Sequence, residues 1–526
     1  MTERPLATRA GEEPGRPAAA GTAAGPAAGT ATGPGAPSGA ARVAALARRH
    51  WLIGLLLLGG LVLRVLALLA YRPALIYVDT LKYLYGASPG ADPMGYMLIL
   101  RAAVPPGGVA GVAALQHLAG LVLGAALYAI VRRRGAPRWL AALAAAPVLL
   151  DAYQIQIEQT IMPDVWFEVL AVAGLGLLLW RPVLSVRLAA VAGLALGCSA
   201  LVRQIGEVLV LPAVAYLLAC GGGGRQLASR GAALIAAFAL PILSYCTVSY
   251  AQTGNFWLAR GQTDIGRLTA AADCATLRLP ATLRAVCPTP AQQRLGPDWL
   301  EHSGHSPLAP AHLPAGTDRT QLLGQLGAAI SHQQPLRVAG SVASDSLRLF
   351  AVTREPSPWI APISRWQFQT YYPTYPPWVT LGPGNTIMVG VQRVLYGRFY
   401  LHPLRPRYGG PARVNRPLAV FLRGYQLDGG YTPGPLLALL TLAGLAGSLL
   451  ALIRRGASPR TRRLALGCLL FTSTAVVLLL ASDFYEFSWR YQLPAVVTLP
   501  PGGLLGLAAL VSRFRDRKPA PAPEPG

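Results

Sequence analysis

WLIGLLLLGGLVLRVLALLA, residues 51–70, leads through a short link into YVDTLKYLYGASPGADPMGY, residues 77–96. The first run is apolar apart from Arg64, and its length matches the roughly 20 residues that cross a bilayer core at about 1.5 Å per residue. The second run places Asp79, Lys82 and Asp92 just past the end of that span. Ionisable groups close to membrane depth are costly and are usually kept for function. Asp79 and Lys82 are three residues apart and share a face on a helix, and Tyr83 follows Asp79 by four. A carboxylate placed there can take a proton from an acceptor hydroxyl while a nearby cation holds a phosphate leaving group. The same residues also read as an interfacial ion pair between membrane-anchoring tyrosines.

Working outward, 53% of the 526 residues are hydrophobic and 13% are charged, which is the balance of a polytopic membrane protein. Lys82 and Lys518 are the only lysines among 46 basic residues, and the formal net charge is +24. That charge suits anionic lipid and phosphate partners; no nucleic-acid-binding module is visible. Cys198, Cys220, Cys246 and Cys468 lie in or beside apolar runs and read as small buried hydrophobes. Cys274 and Cys287 fall in the long polar region and are expected to form a disulfide if that region lies outside the cell.

Residues 1–41 form an Ala/Gly/Pro/Thr arm with too little apolar content for a core, expected to be disordered and cytoplasmic. Ten spans are expected, at about 51–71, 109–131, 139–157, 161–180, 188–202, 205–220, 231–251, 434–453, 464–481 and 491–512. Alternation from a cytoplasmic start puts the Arg-rich loops 132–138, 181–187, 221–230 and 454–463 and the tail 513–526 inside, as the positive-inside rule requires. This gives a seven-span module (42–251) with a first outer loop at 72–108, a mixed extracytoplasmic domain (252–433) and a three-span module (434–512). Both termini are then cytoplasmic, in a multi-pass protein of the plasma membrane. Within 252–433 a helix is expected at Thr320–Ser331, and no convincing strand pattern is seen.

The acidic residues near span ends collect on the outer face. DAYQIQIEQTIMPD (151–164) is expected at the hydrated tip of the hairpin between the third and fourth spans. Asp151, Gln154 and Glu158 make one helical stripe there, and Asp164 and Glu168 make a second acidic face. With Asp92, the carboxylates Glu158, Asp164 and Glu168 are expected to form an acidic rim that holds sugar hydroxyls or a divalent cation. Arg203, in the turn between the fifth and sixth spans, and Arg490, at the start of the last, suit a lipid-linked phosphate through bidentate contact. Arg64 and Arg72 read as snorkelling to headgroups.

Together these features resemble the GT-C superfamily of polyprenyl-phosphate-sugar-dependent glycosyltransferases, in particular the bacterial protein mannosyltransferase-like and aminoarabinose transferase-like enzymes of glycosyltransferase family 39 type. The resemblance is carried by the first loop with Asp79 and Tyr83 followed by DPMGYMLILR (92–101), QHLAGL in the second span, IEQTIMPDVWFEVL (157–170) leading into ALVRQIGEVLVLP (200–212), and RYQLP (490–494). It implies an all-α GT-C-like membrane fold and an inverting transfer from a polyprenyl-phosphate-linked sugar to a hydroxyl of a glycan, lipid or protein acceptor. The resemblance implies Asp79 as the base, Arg203 and Arg490 as holders of the carrier phosphate and Asp164 as a residue that helps shape the site, while Lys82 and Tyr83, beside Asp79, are expected to bind the donor. The chain has Asp79-Thr80 where neighbouring families often have Asp-Glu, and it lacks the Asp-x-Asp of metal-dependent oligosaccharyltransferases. No cofactor is fixed by these residues: a divalent cation would suit the acidic pairs, but the motif reading needs none. A transporter or lipid flippase is the competing reading, although the charges gather at one face and no internal repeat is evident.

Overall fold

The computed structural model describes residues 48–86, 90, 92–259, 265–393, 398–453 and 457–516, together with Ala45. The arm at 1–41 and the end of the tail lie outside the described residues. The first helix, α1 (Trp51–Ala70), runs into a two-residue strand, β1 (Tyr71–Arg72), and then into α2 (Val78–Tyr85), which carries Asp79 and Lys82. α2 starts where the Tyr77 N–H donates to the Thr80 hydroxyl (3.0 Å), and that hydroxyl donates in turn to the Ile161 carbonyl (3.0 Å). Local capping and a long-range anchor thus share one threonine.

The next helix, α3 (Gly95–Arg133), begins well before the expected span at 109. It contains Pro105 and Pro106, which lack the N–H that a helix needs, and it breaks at Gly108 (φ 61°, ψ −161°). Only glycine takes that backbone readily, and a Cβ there would sit 3.0 Å from the Tyr408 carbonyl oxygen. α4 (Arg138–Leu150) bends by 47° into α5 (Ala152–Gln159). Asp151 makes the corner: its carboxylate accepts from the Tyr153 N–H (2.9 Å) on one side and the Thr432 N–H (2.7 Å) on the other. α6 (Asp164–Leu179), α7 (Val186–Val202), α8 (Val210–Cys220) and α9 (Gly224–Thr253) complete the first helical group.

Each of the ten expected spans corresponds to a helix or a bent helix pair, but the count by length is smaller. Among the described residues six helices are long and apolar enough to cross a membrane, or seven if α4 and α5 are taken as one bent span. Residues 164–179, 186–202 and 204–220 fall short in length, and the last opens as a 3₁₀ turn over Gln204–Leu209.

The long insertion after α9 holds several short helices, then α10 (Arg319–Gln333) and α11 (Pro335–Arg348). α10 spans the expected 320–331 helix, with Asp318 accepting from the Gln321 N–H at its start. A disulfide joins Cys274 to Cys287 beside this helical cluster. The insertion also contains strands that the sequence reading did not find. β2 (Val379–Leu381), β3 (Ile387–Arg393) and β4 (Arg398–Pro403) form an antiparallel sheet in that order, and β5 (Arg413–Val414) pairs with β1. α12 (Arg416–Leu427) leads to the last three long helices, α13 (Gly434–Leu452), α14 (Pro459–Tyr485) and α15 (Leu493–Asp516). α13 and α15 pack backbone to backbone, since a Cβ on Gly447 would meet the Gly506 Cα at 2.4 Å.

The insertion is fastened to the helices at the end that carries α2. The Tyr71 hydroxyl donates to the Gln369 carbonyl (2.6 Å), Tyr372 to that of Ala74 (2.7 Å) and Tyr425 to that of Leu150 (2.6 Å). As a result every residue from Asp151 to Val165 is buried, so 151–164 is not the hydrated hairpin tip that its polarity suggests. The described residues from His50 onward form one compact unit.

Candidate functional site

Asp79 occupies the first turn of α2, where the helix dipole favours a carboxylate, and Lys82 lies one turn on (Nζ to Oδ1, 3.2 Å). Lys82 also pairs with Asp92, which the chain brings back just before α3. The link from α1 to α2 runs beside the buried segment: the Leu75 N–H donates to the Gln159 carbonyl and the Ile161 N–H to the Leu75 carbonyl, each at 3.1 Å. This register brings Asp164, the first residue of α6, beside α2.

Arg490 joins the two carboxylates. Its Nη1 donates to Asp79 Oδ2 (3.0 Å), and its Nε is shared between both Asp164 oxygens (3.1 Å each). Arg203, in extended backbone between α7 and the 3₁₀ turn, pairs with Asp164 from the other side and lies over the Tyr491 ring (5.3 Å). Asp79, Lys82, Asp92, Asp164, Arg203 and Arg490 thus form one charged cluster drawn from four separate parts of the chain. Tyr83 packs edge-on against Tyr96 (5.1 Å) and flanks Lys82, whose ammonium is 5.3 Å from the Tyr83 ring.

The cluster has an open and a closed side. Side-chain exposure is 39% for Lys82 and 26% for Asp79, but 4% for Arg490 and 1% for Asp164. Asp79 and Lys82 thus lie on the open side, while Asp164 holds Arg490 from beneath. Trp366 of the insertion lies over the Arg490 guanidinium (5.4 Å) and also packs on Tyr77 (4.9 Å), which places the insertion directly over the charges.

Burial raises the Asp79 pKa, but Lys82 and Arg490 outweigh it and hold the carboxyl down to about 2. Burial likewise works against the Lys82 charge, but Tyr83, Asp79 and Asp92 more than offset it, so its pKa lies well above the usual lysine value. Tyr83 and Tyr491 are pushed up, chiefly by burial, and remain hydroxyl donors.

Two of the expected rim residues are not at the rim. Glu158 is fully buried in a bidentate pair with Arg64 (2.8 Å to each oxygen) and also contacts His117 Nδ1 (3.0 Å). Arg64 therefore does not snorkel: it is 1% exposed and donates also to the Val148 and Leu149 carbonyls (2.9 and 2.8 Å) at the end of α4. The guanidinium satisfies carbonyls that the bend at Asp151 frees, and it needs a buried anion as counter-charge. Glu168 is equally buried and accepts from Gln154 Nε2 (2.8 Å). Both glutamates belong to a buried polar layer in the helices rather than to the surface that a substrate meets.

Sequence reasoning missed Trp366 and also Arg354. The Arg354 guanidinium lies 4.3 Å from the Tyr153 ring, 4.5 Å from Tyr431 and 4.3 Å from Trp489, the residue before Arg490. No local pattern marks either residue, since each acquires its partners only when the insertion folds back. Among the described residues no group of three or more His, Cys, Asp or Glu side chains is placed to hold a metal ion.

No protein-family model and no curated protein matches the chain. Three chains of solved structures do, among them the following two. One is the protein O-mannosyltransferase Pmt1-Pmt2 complex of S. cerevisiae bound to the sugar donor, at 15% identity and a TM-score of 0.30 over 44% of this chain. The other is the archaeal oligosaccharyltransferase AglB of Archaeoglobus fulgidus, in complex with an inhibitory peptide and a dolichol-phosphate, at 12% identity and a TM-score of 0.38 over 89% of this chain. Both are GT-C fold glycosyltransferases. The matches span 37% and 51% of those chains, and scores this low carry no inference about activity.

Proposed function

We propose that the chain is a membrane glycosyltransferase that moves a sugar from a polyprenyl-phosphate carrier to an acceptor hydroxyl at the extracytoplasmic face, with inversion. The observation that carries this reading is the Arg490 bridge, which ties the half-buried carboxylate of Asp79 to a cation set of Lys82, Arg490 and Arg203 at one end of the helices. A transfer of this class needs a base for the acceptor and fixed positive charge for a phosphate leaving group, a few ångströms apart. The acceptor oxygen attacks the anomeric carbon, the bond from that carbon to the phosphate oxygen breaks, and its electron pair leaves with the carrier phosphate. The acceptor proton passes to Asp79.

With both cations on it, Asp79 is a weak base. A donor phosphate that takes up Lys82 and the outer edge of Arg490 draws their charge away from Asp79, and its basicity rises only in the loaded site. The insertion, through Trp366, excludes water that would otherwise hydrolyse the donor. The carrier enters from the bilayer beside the helices, and the sugar, glycan, lipid or peptide acceptor from the open side at Lys82. Sugar donor and dolichol-phosphate, the molecules bound in the two solved structures above, are ligands of the chemistry proposed here.

Purified protein incubated with radiolabelled polyprenyl-phosphate sugars and a cell-envelope extract tests the reading. Sugar should move to acceptor with the opposite anomeric configuration to the donor, as read by NMR of the product. Transport of an intact donor across liposomes with no glycosidic bond formed would replace this reading with the flippase one.

A further inference from the structure

Beside β1 lies a groove of about 420 Å³ lined in part by Leu68 and Leu69 of α1, Ala110 of α3, and Arg72 and Arg413. None of the charged cluster lines it. Arg72 and Arg413 are direct partners in the β1–β5 ladder, so their side chains leave the same face of the pair about 5 Å apart at Cβ. Like charges directly opposite are unfavourable, and among the described residues neither arginine has a carboxylate partner. Both are exposed, immediately past the end of a membrane-length helix.

We propose that this groove binds an anionic phospholipid of the bilayer, with its phosphate held between Arg72 and Arg413 and an acyl chain lying along α1. Two guanidinium forks on one face are matched to the oxygens of a phosphodiester and remove the mutual repulsion of the pair. The apolar floor continues down α1 as a stripe of exposed side chains, Leu61, Val65 and Leu69, which distinguishes a lipid from a free anion. Because β1 and the short link at 73–77 join α1 to α2, an occupied groove fixes the base of the segment that carries Asp79. The inference does not depend on the transferase reading.

Native mass spectrometry of the intact protein, released from nanodiscs of mixed phosphatidylglycerol and phosphatidylcholine with matched tails, tests it. Wild type should retain phosphatidylglycerol in preference. Arg72→Gln and Arg413→Gln should each weaken retention about tenfold, which corresponds to one charge-assisted contact. If the variants do not fold, the wild type still decides: its phosphatidylglycerol retention should fall as salt is raised, while phosphatidylcholine is unaffected. Equal retention of the two lipids, or folded variants that keep phosphatidylglycerol as wild type does, would overturn the proposal. So would displacement by inorganic phosphate alone, which would mark a free-anion site, or by polyprenyl phosphate at far lower concentration, which would mark a carrier site.

Discussion

Arg490→Lys keeps the positive charge and removes the fork. Arg490 makes one bond to Asp79 and a shared bond to both oxygens of Asp164, and an ammonium on the shorter lysine stem reaches one of the two carboxylates. Hydrogen bonds to charged groups contribute roughly 1.5–3 kcal/mol each, so losing one bridge arm should lower stability by about that amount. Arg490→Ala is harsher because Asp164, 1% exposed, is left with Arg203 alone. Removing one partner of a buried pair costs about 3–5 kcal/mol. Thermal unfolding in detergent, followed by tryptophan emission, should rank wild type above Arg490→Lys and that above Arg490→Ala. A cycle with Asp164→Asn should show coupling on the order of 1–3 kcal/mol. If Arg490 also meets the leaving phosphate, kcat of the lysine variant falls about a hundredfold, the scale of losing one transition-state donor. An Arg490→Lys protein with wild-type unfolding and wild-type turnover would refute the bridge as either a structural or a catalytic element.

Further outcomes follow from other contacts. Glu158→Ala strands the Arg64 guanidinium in the helix core and should destabilise by about 3–5 kcal/mol, whereas the paired change Arg64→Met with Glu158→Leu should cost less; unfolding midpoints of the three proteins decide this. Arg354→Ala removes cation–π contacts to Tyr153 and Trp489 and an ion pair with Asp151 (3.7 Å), all of which hold the insertion to the helices. It should lower stability by about 2 kcal/mol or more and speed proteolytic nicking of the insertion, read by limited trypsin digestion. The folded-state pKa of Asp79, about 2, lies below its usual unfolded value near 3.9, so its ion pairs contribute fully above about pH 4 and are lost as pH falls toward 2. The stability difference between wild type and Asp79→Asn should therefore shrink between pH 5 and pH 2.5. For the same reason kcat/KM, which reports the unloaded protein, should show no Asp79 limb above about pH 4.

Much of the site was legible because it is built from residues at span ends. Apolar runs of membrane length predict helices, and their alternation sends Asp79, Asp164, Arg203 and Arg490 to one end, where the structure does gather them. The Cys274–Cys287 bridge and the helix at 319–333 were readable on similarly local grounds. What escaped depends on distant partners. Glu158 looks like a hydrated loop residue until Arg64, 94 residues earlier, is placed against it. The 151–164 segment is polar enough for water, yet the Gly430 carbonyl accepts from the Ala152 N–H (2.7 Å) and Thr432 donates to Asp151, so the insertion replaces that water. The β2–β3–β4 sheet is short and follows the proline-rich YYPTYPPW stretch (371–378), where alternation is hard to separate from irregular chain.

Whether Asp79 is the base of a sugar transfer is decided by turnover of a labelled polyprenyl-phosphate sugar by wild type and Asp79→Asn, with thermal stability recorded for both. Wild type should turn the donor over, and Asp79→Asn should fold and fail to do so. Equal turnover by the two proteins, or no turnover by wild type with any donor of this class, would contradict that role.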